Sequence, residues 1–178
     1  MTTFVEKIER SNNNPDDPRN REVVFPAHDP FNGNLATPIN SSPLVKTFIN
    51  NLPAYRPGLT PIRRGLEVGL AHGYWIVGPF FEFNPLRFTK YGSLVALLSS
   101  ISLIVISTLA ISLYATSNPP KPTATITTPN PPKAYAEAEG WNEYASGFLI
   151  GGVGGAVVAY AILANVDVFG NFLNLVGL

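Results

Sequence analysis

Residues Ser93 to Ala115 form a run of 23 positions without one charged side chain, and this run limits the fold of the chain more tightly than any other feature. At 1.5 Å per residue a helix of that length measures about 34 Å, enough to cross the roughly 30 Å hydrocarbon core of a bilayer. Lipid offers no hydrogen-bond partner to the backbone, so a single crossing segment of this kind must be helical. The run predicts a transmembrane helix.

Two further runs fit the same reading. The first, Gly65 to about Phe83, would span about 28 Å and holds Glu67, His72 and a terminal Glu82. The other, Tyr144 to about Ala164, is uncharged, with Trp141, Tyr144 and Tyr160 placed near its ends or at interfacial depth, where amphipathic rings are favoured. Charged residues make up 13% of the chain, against about 25% in soluble proteins. The deficit is concentrated in the runs, since ten of the twelve acidic residues lie outside them. The expected fold is an all-α membrane protein with three transmembrane helices at about 65–83, 93–115 and 144–164.

The rest of the chain divides into three parts. Residues 1–60 carry prolines at 15, 18, 26, 30, 38, 43, 53 and 57, which interrupt any long helix and predict an irregular arm. Within it Leu44, Phe48 and Leu52 recur at helical spacing, so a short helix from Leu44 to Asn51 is expected, with Ser41 or Ser42 as cap and Pro43 in its first turn. Between the second and third runs, Ser117 to Lys133 holds six prolines in 17 residues, predicting an extended linker or docking arm, the Pro-rich loop 118–132. After Ala164 the tail 165–178 stays apolar. Phe169, Phe172 and their neighbours would form an exposed patch on an isolated subunit, which points to burial against a partner.

Charge sets the expected orientation. Eight Lys or Arg precede the first run and two lie in the Pro-rich loop, against two between the first and second runs and none in the tail, a balance of ten to two. The positive-inside rule then puts the amino terminus and the Pro-rich loop on the cytoplasmic side and the carboxyl terminus opposite. The first thirty residues contain no apolar core with a cleavage site, so no signal peptide is expected. Net charge is zero, which gives no basis for nucleic-acid binding, and cysteine is absent, which excludes disulfides and thiolate metal sites. No nucleophile elbow, phosphate loop, paired carboxylates or zinc spacing is present, so no enzymatic function is expected.

Glu67 and His72 are the candidate site residues, because ionisable groups inside a membrane helix cost several kcal/mol and default to function. Five residues apart, they differ by about 140° of rotation and cannot bind one metal from a single face. Two separate sites, or one site and one structural contact, remain open. An imidazole can ligate a metal, including one at the centre of a tetrapyrrole, and a carboxylate suits magnesium. Equally, His72 could bond a neighbouring carbonyl and Glu67 could pair near Arg63 and Arg64.

Small residues supply a second pattern. Gly65, Gly69 and Gly73 recur every four residues, as do Gly147, Gly151, Gly155 and Ala159, giving two stripes suited to close helix packing, within the chain or against a partner. A flat macrocycle lying on such a face is the alternative. The Ser and Thr residues of the second run are expected to bond the carbonyl four residues back instead of lining a channel. On the residues alone, a stand-alone small membrane protein, either haem-binding through His72 or a transporter-like bundle that self-associates through its glycine stripes, also fits.

The string LVKTFINNLPAYRPGLTPIRRGLEVGLAHGYWIVGPF resembles photosystem I reaction-centre subunit XI, the L subunit, of cyanobacterial type. The resemblance runs from about Asp29, through NGNLATPI, to Pro85 and resumes at GWNEYASGFLIGGVGGAVVAYAIL. It implies a chlorophyll-binding subunit of the thylakoid membrane that contacts the core and small membrane subunits, joins monomers into oligomers through the same subunit of its neighbours and contributes to light harvesting. Chlorophyll a, with beta-carotene and lipid, is the implied cofactor set. Glu67 and His72 match positions that ligate the magnesium of two different chlorophylls. The family's calcium site after the first helix would use Pro85, but Phe88 stands where an aspartate is expected, which implies that the site is lost or altered. The long Pro-rich loop is absent from the usual trimer-forming sequences and resembles insertions in relatives that form dimers or tetramers, which leans away from the trimer.

Overall fold

The computed structural model of the chain describes residues 25–26 and 35–166. The tail with Phe169 and Phe172 and the amino-terminal segment around His28 lie outside the described residues. The chain divides into two compact units, one made of residues up to Gly58 together with Pro122–Lys133, the other of Leu59–Lys121 with the residues from Ala134 onward.

In the first unit, strands β1 (Phe25–Pro26) and β2 (Leu35–Ala36) pair antiparallel. Pro38 opens a single helical turn, α1 (Pro38–Ser41). Thr37 Oγ1 accepts from the Asn40 amide at 3.2 Å and the Thr37 amide donates to Asn40 Oδ1 at 2.8 Å, a reciprocal cap. Helix α2 (Pro43–Asn51) is the short helix expected from the spacing, one residue longer at its start, with Ser42 Oγ accepting from the Val45 amide at 3.3 Å. The Pro-rich segment is folded onto this arm. Asn50 Nδ2 donates to the Thr127 carbonyl at 2.8 Å and Thr127 Oγ1 donates to the Asn40 carbonyl at 2.9 Å, while Ile126 and Thr128 are buried. Prolines deny the segment a helix, and its threonines supply instead the hydrogen bonds that hold it in place, including a turn from Thr125 to Thr128.

The second unit is built on three helices, α3 (Pro61–Glu82), α4 (Gly92–Thr116) and α5 (Ala138–Ala164). Helix α4 extends past its apolar run at both ends, and α3 and α5 begin before theirs. Pro61 occupies the first helical position of α3, where its missing N–H costs nothing. Helix α5 begins at Ala138, well before Tyr144, because residues Glu139 to Glu143 contain no proline and an acidic first turn suits the helix dipole. Among the described residues, α4 and α5 are the two helices long and apolar enough to cross a membrane; α3, with Arg63, Arg64, Glu67 and Glu82, is not one of them.

Helix α3 lies along α5 in the same direction. A Cβ built on Gly65 would collide with the Tyr144 carbonyl, on Gly69 with the Phe148 carbonyl and on Gly73 with the Gly152 carbonyl. Reciprocally, a Cβ on Gly147, Gly151 or Gly155 would strike the carbonyls of Ile62, Leu66 and Leu70. The two stripes therefore mesh backbone to backbone, with glycine Cα–H groups aimed at carbonyls across the seam. Helix α4 runs the opposite way, with Ile104 against Gly152, Ala96 against Ala156 and Ala159, and Tyr114 against Trp141. Val77, Ala96, Ala156 and Ala159 form the buried centre where the three helices meet. Ser100, Ser102, Ser107 and Thr108 each donate to the carbonyl four residues back at 2.8 Å, as expected for hydroxyls that must be satisfied within their own helix.

An aromatic cluster closes the end of this bundle where α5 begins. Tyr135, in a 3-10 turn at Lys133–Ala136, stacks at 4.6 Å between centroids on Trp141, whose Nε1 donates to the Tyr135 carbonyl at 3.0 Å. The Tyr135 hydroxyl is buried and finds no hydrogen-bond partner among the described residues. Burial pushes its pKa well above the ordinary phenol range; Tyr144 adds to the shift and Arg64 opposes it.

Candidate functional site

The meshed glycine face fixes what α3 can present elsewhere. With Gly65, Gly69 and Gly73 turned to α5, positions 67 and 72 fall on opposite flanks of the seam, about 140° apart. Glu67 is half-buried and engaged within the chain, and His72 is exposed.

The geometry of His72 determines its chemistry. Its Nδ1 lies 2.8 Å from the Val68 carbonyl, one turn earlier on the same helix. A carbonyl can only accept, so Nδ1 carries the proton and donates. In the neutral ring Nε2 is then the nitrogen with the free lone pair. The ring is held from the side by an edge contact with Phe148 of α5 at 5.6 Å between centroids. Second contacts of this kind orient metal-ligating histidines generally.

Among the described residues no group of three or more His, Asp or Glu side chains comes together. A bare metal ion would need such a group. A metal already held at the centre of a macrocycle does not, because the ring supplies the equatorial nitrogens and the protein adds a single axial atom. An exposed imidazole with Nε2 free fits that second demand and not the first. The two flanks of α3 thus offer one candidate ligand each, and the structure does not bring Glu67 and His72 together.

The glycines Gly147, Gly151 and Gly155 are buried against α3, so their face is used inside the chain. By contrast, Gly78 and Gly154 face open space, with nothing within 4 Å of a Cβ placed on either. In the turn after α3, Asn84 is buried and binds both ways: Nδ2 donates to the Gly92 carbonyl at 3.1 Å and Oδ1 accepts from the Leu86 amide at 2.8 Å. Pro85 and Phe88 are exposed there, and the Arg87 guanidinium sits 4.6 Å from the Phe88 ring centre while Nη1 donates to the Glu82 carbonyl at 2.5 Å. The Val68 carbonyl and Trp75, three residues beyond His72 on its face, are parts of the site that residue type alone did not single out. Helical spacing from His72 is the signal that finds both.

The sequence model of the photosystem I reaction centre subunit XI family matches residues 22–168. The chain is 62% identical to photosystem I reaction center subunit XI of Mastigocladus laminosus, over 92% of this chain and 95% of that one. It is equally similar to the protein of that name from Trichormus variabilis, 62% over 91% and 95% of the two chains. The subunit from Crocosphaera subtropica is 52% identical over 79% of this chain and 90% of its own. The family match covers most of the chain, including α3, α4, α5 and the whole of the candidate site, and the chain belongs to the photosystem I reaction centre subunit XI family.

Proposed function

We propose that the chain is a chlorophyll-binding, three-span structural subunit of photosystem I that helps join monomers into oligomers. The observation that carries the pigment reading is the His72 imidazole, exposed on α3 with Nδ1 committed to the Val68 carbonyl and Nε2 left to bind magnesium. When bound, chlorophyll supplies light absorption. The chain's own residues do the rest: Val68 fixes the tautomer, Phe148 fixes the ring plane, and the glycine seam holds α3 in place.

A third span is supported by packing. Helix α3 follows α5 in parallel from Gly65 beside Tyr144 to Gly73 beside Gly152, so it shares the depth of a helix apolar enough to cross the bilayer. Its charged residues sit at the ends, Arg63 and Arg64 at one and Glu82 at the other, apart from Glu67. With α3 and α5 parallel and α4 reversed, Pro61 and Ala164 lie at opposite ends of the helices, which supports an amino terminus on the cytoplasmic face and a carboxyl terminus in the lumen. Near Pro85 we read the calcium site as lost, since Phe88 offers no oxygen ligand and Arg87 already places a cation against the end of α3.

Replacing His72 by Leu should remove one chlorophyll from the purified complex while the subunit remains bound; an unchanged pigment count would refute the ligand assignment. For oligomerisation, exposed Leu98, Ile106, Leu109 and Leu113 on α4 leave an apolar flank available to lipid or to a neighbour. Complexes lacking this chain should migrate only as monomers on a native gel, and undiminished higher species would count against the role.

A further inference from the structure

Trp75 is 73% exposed, the most exposed large aromatic residue of α3, and among the described residues its ring contact is with the adjacent Tyr74, edge-on at 5.7 Å. Its indole N–H has no acceptor among the described residues. Tryptophans of membrane proteins gather near the headgroups, where that N–H is wet. Trp75 lies seven residues before Glu82, the end of α3, or about 10 Å inside the helix, two turns in. An indole N–H left unpaired in hydrocarbon is costly.

Position 75 is three residues from His72, an offset of about 60° and 4.5 Å along the helix. Both side chains therefore leave α3 on the same flank of the seam, His72 beside it against Phe148 and Trp75 farther round the helix. A tetrapyrrole held axially at His72 Nε2 would lie along this flank, and its rim, which carries carbonyl groups, extends past one helical turn. We propose that Trp75 is a positioning residue for the pigment at His72, donating its indole N–H to a carbonyl on the rim of the macrocycle. Such a bond would fix rotation of the ring about its axial ligand, which a single axial bond leaves free, and it would lower the energy of that pigment's absorption. The inference rests on the His72 reading above.

The test is vibrational difference spectroscopy on intact photosystem I. Trp75→Phe should retain the pigment and shift one chlorophyll carbonyl stretch upward to the frequency of an unbonded carbonyl. Trp75→Tyr, which restores a donor, should bring that band part of the way back. Retained pigment with an unmoved band overturns the proposal, as does loss of the pigment in both variants, since that is the mark of packing and not of a hydrogen bond. The same substitution in a His72→Leu background separates the two readings. With the pigment already gone, Trp75→Phe should produce no further carbonyl change. A shift that persists there assigns the acceptor to a neighbouring subunit and overturns the pigment contact, whereas pigment retained in His72→Leu alone defeats the ligand assignment itself.

Discussion

Gly151→Ala should loosen the subunit within photosystem I, whereas Gly154→Ala, three residues away on the same helix, should leave it as firmly held as the natural chain. The two substitutions add the same methyl group to the same kind of backbone. At Gly151 the new Cβ would fall on the Leu66 carbonyl, and at Gly154 it would meet nothing within 4 Å. The Leu66 carbonyl belongs to the rigid backbone of α3 and cannot swing aside as a side chain would, so the helices must separate. Overpacking of this kind costs about 1–3 kcal/mol, and contacts on either side of the seam are lost with it. Gly154→Ala runs the other way, since alanine is favoured over glycine in a helix by up to about 1 kcal/mol. The amount of subunit retained after graded detergent washing, together with its thermal release, measures both. Equal behaviour of the two variants would show that the seam does not govern stability.

The contrast also explains which parts of the structure are legible in the sequence. The three helices are, because uncharged runs and glycine repeats at four-residue spacing report directly on solvent and on helix contact. Which helix each stripe meets is not, since Gly147 to Gly155 could equally face a neighbouring subunit; the parallel direction of α3 and α5 settles it inside the chain. The fold-back of the Pro-rich segment is invisible to composition, which sees that proline forbids a helix but not that Thr127 reaches Asn40 and Asn50. Boundaries drift for a related reason. Apolarity marks where a helix is in lipid, and α5 continues through Glu139 and Glu143 because no proline stops it there. At the candidate site, rotation per residue is enough to separate Glu67 from His72, yet the tautomer of His72 depends on a backbone carbonyl that carries no residue-specific signal. The orphaned Tyr135 hydroxyl is likewise a property of three elements meeting, not of any motif.

Replacing Glu67 and His72 together by Leu should remove two chlorophylls, and each single replacement should remove a different one. The two positions leave α3 about 140° apart on either flank of the glycine seam, so no one macrocycle can use both. Arg63, one turn before Glu67, offers a counter-charge on its side of the helix, and a carboxylate oxygen is a hard ligand suited to magnesium. Stability gives the test its force. A carboxylate in a membrane helix costs several kcal/mol, so Glu67→Leu should ease insertion of the chain even as it deletes a pigment ligand. Pigment loss accompanied by undiminished subunit levels therefore identifies a ligand, because simple misfolding lowers both together. Pigment counts and low-temperature absorption of the single and double variants read the result. If the two single losses coincide in one band, or if Glu67→Leu leaves every pigment in place, then α3 carries one pigment site and Glu67 serves only the helix.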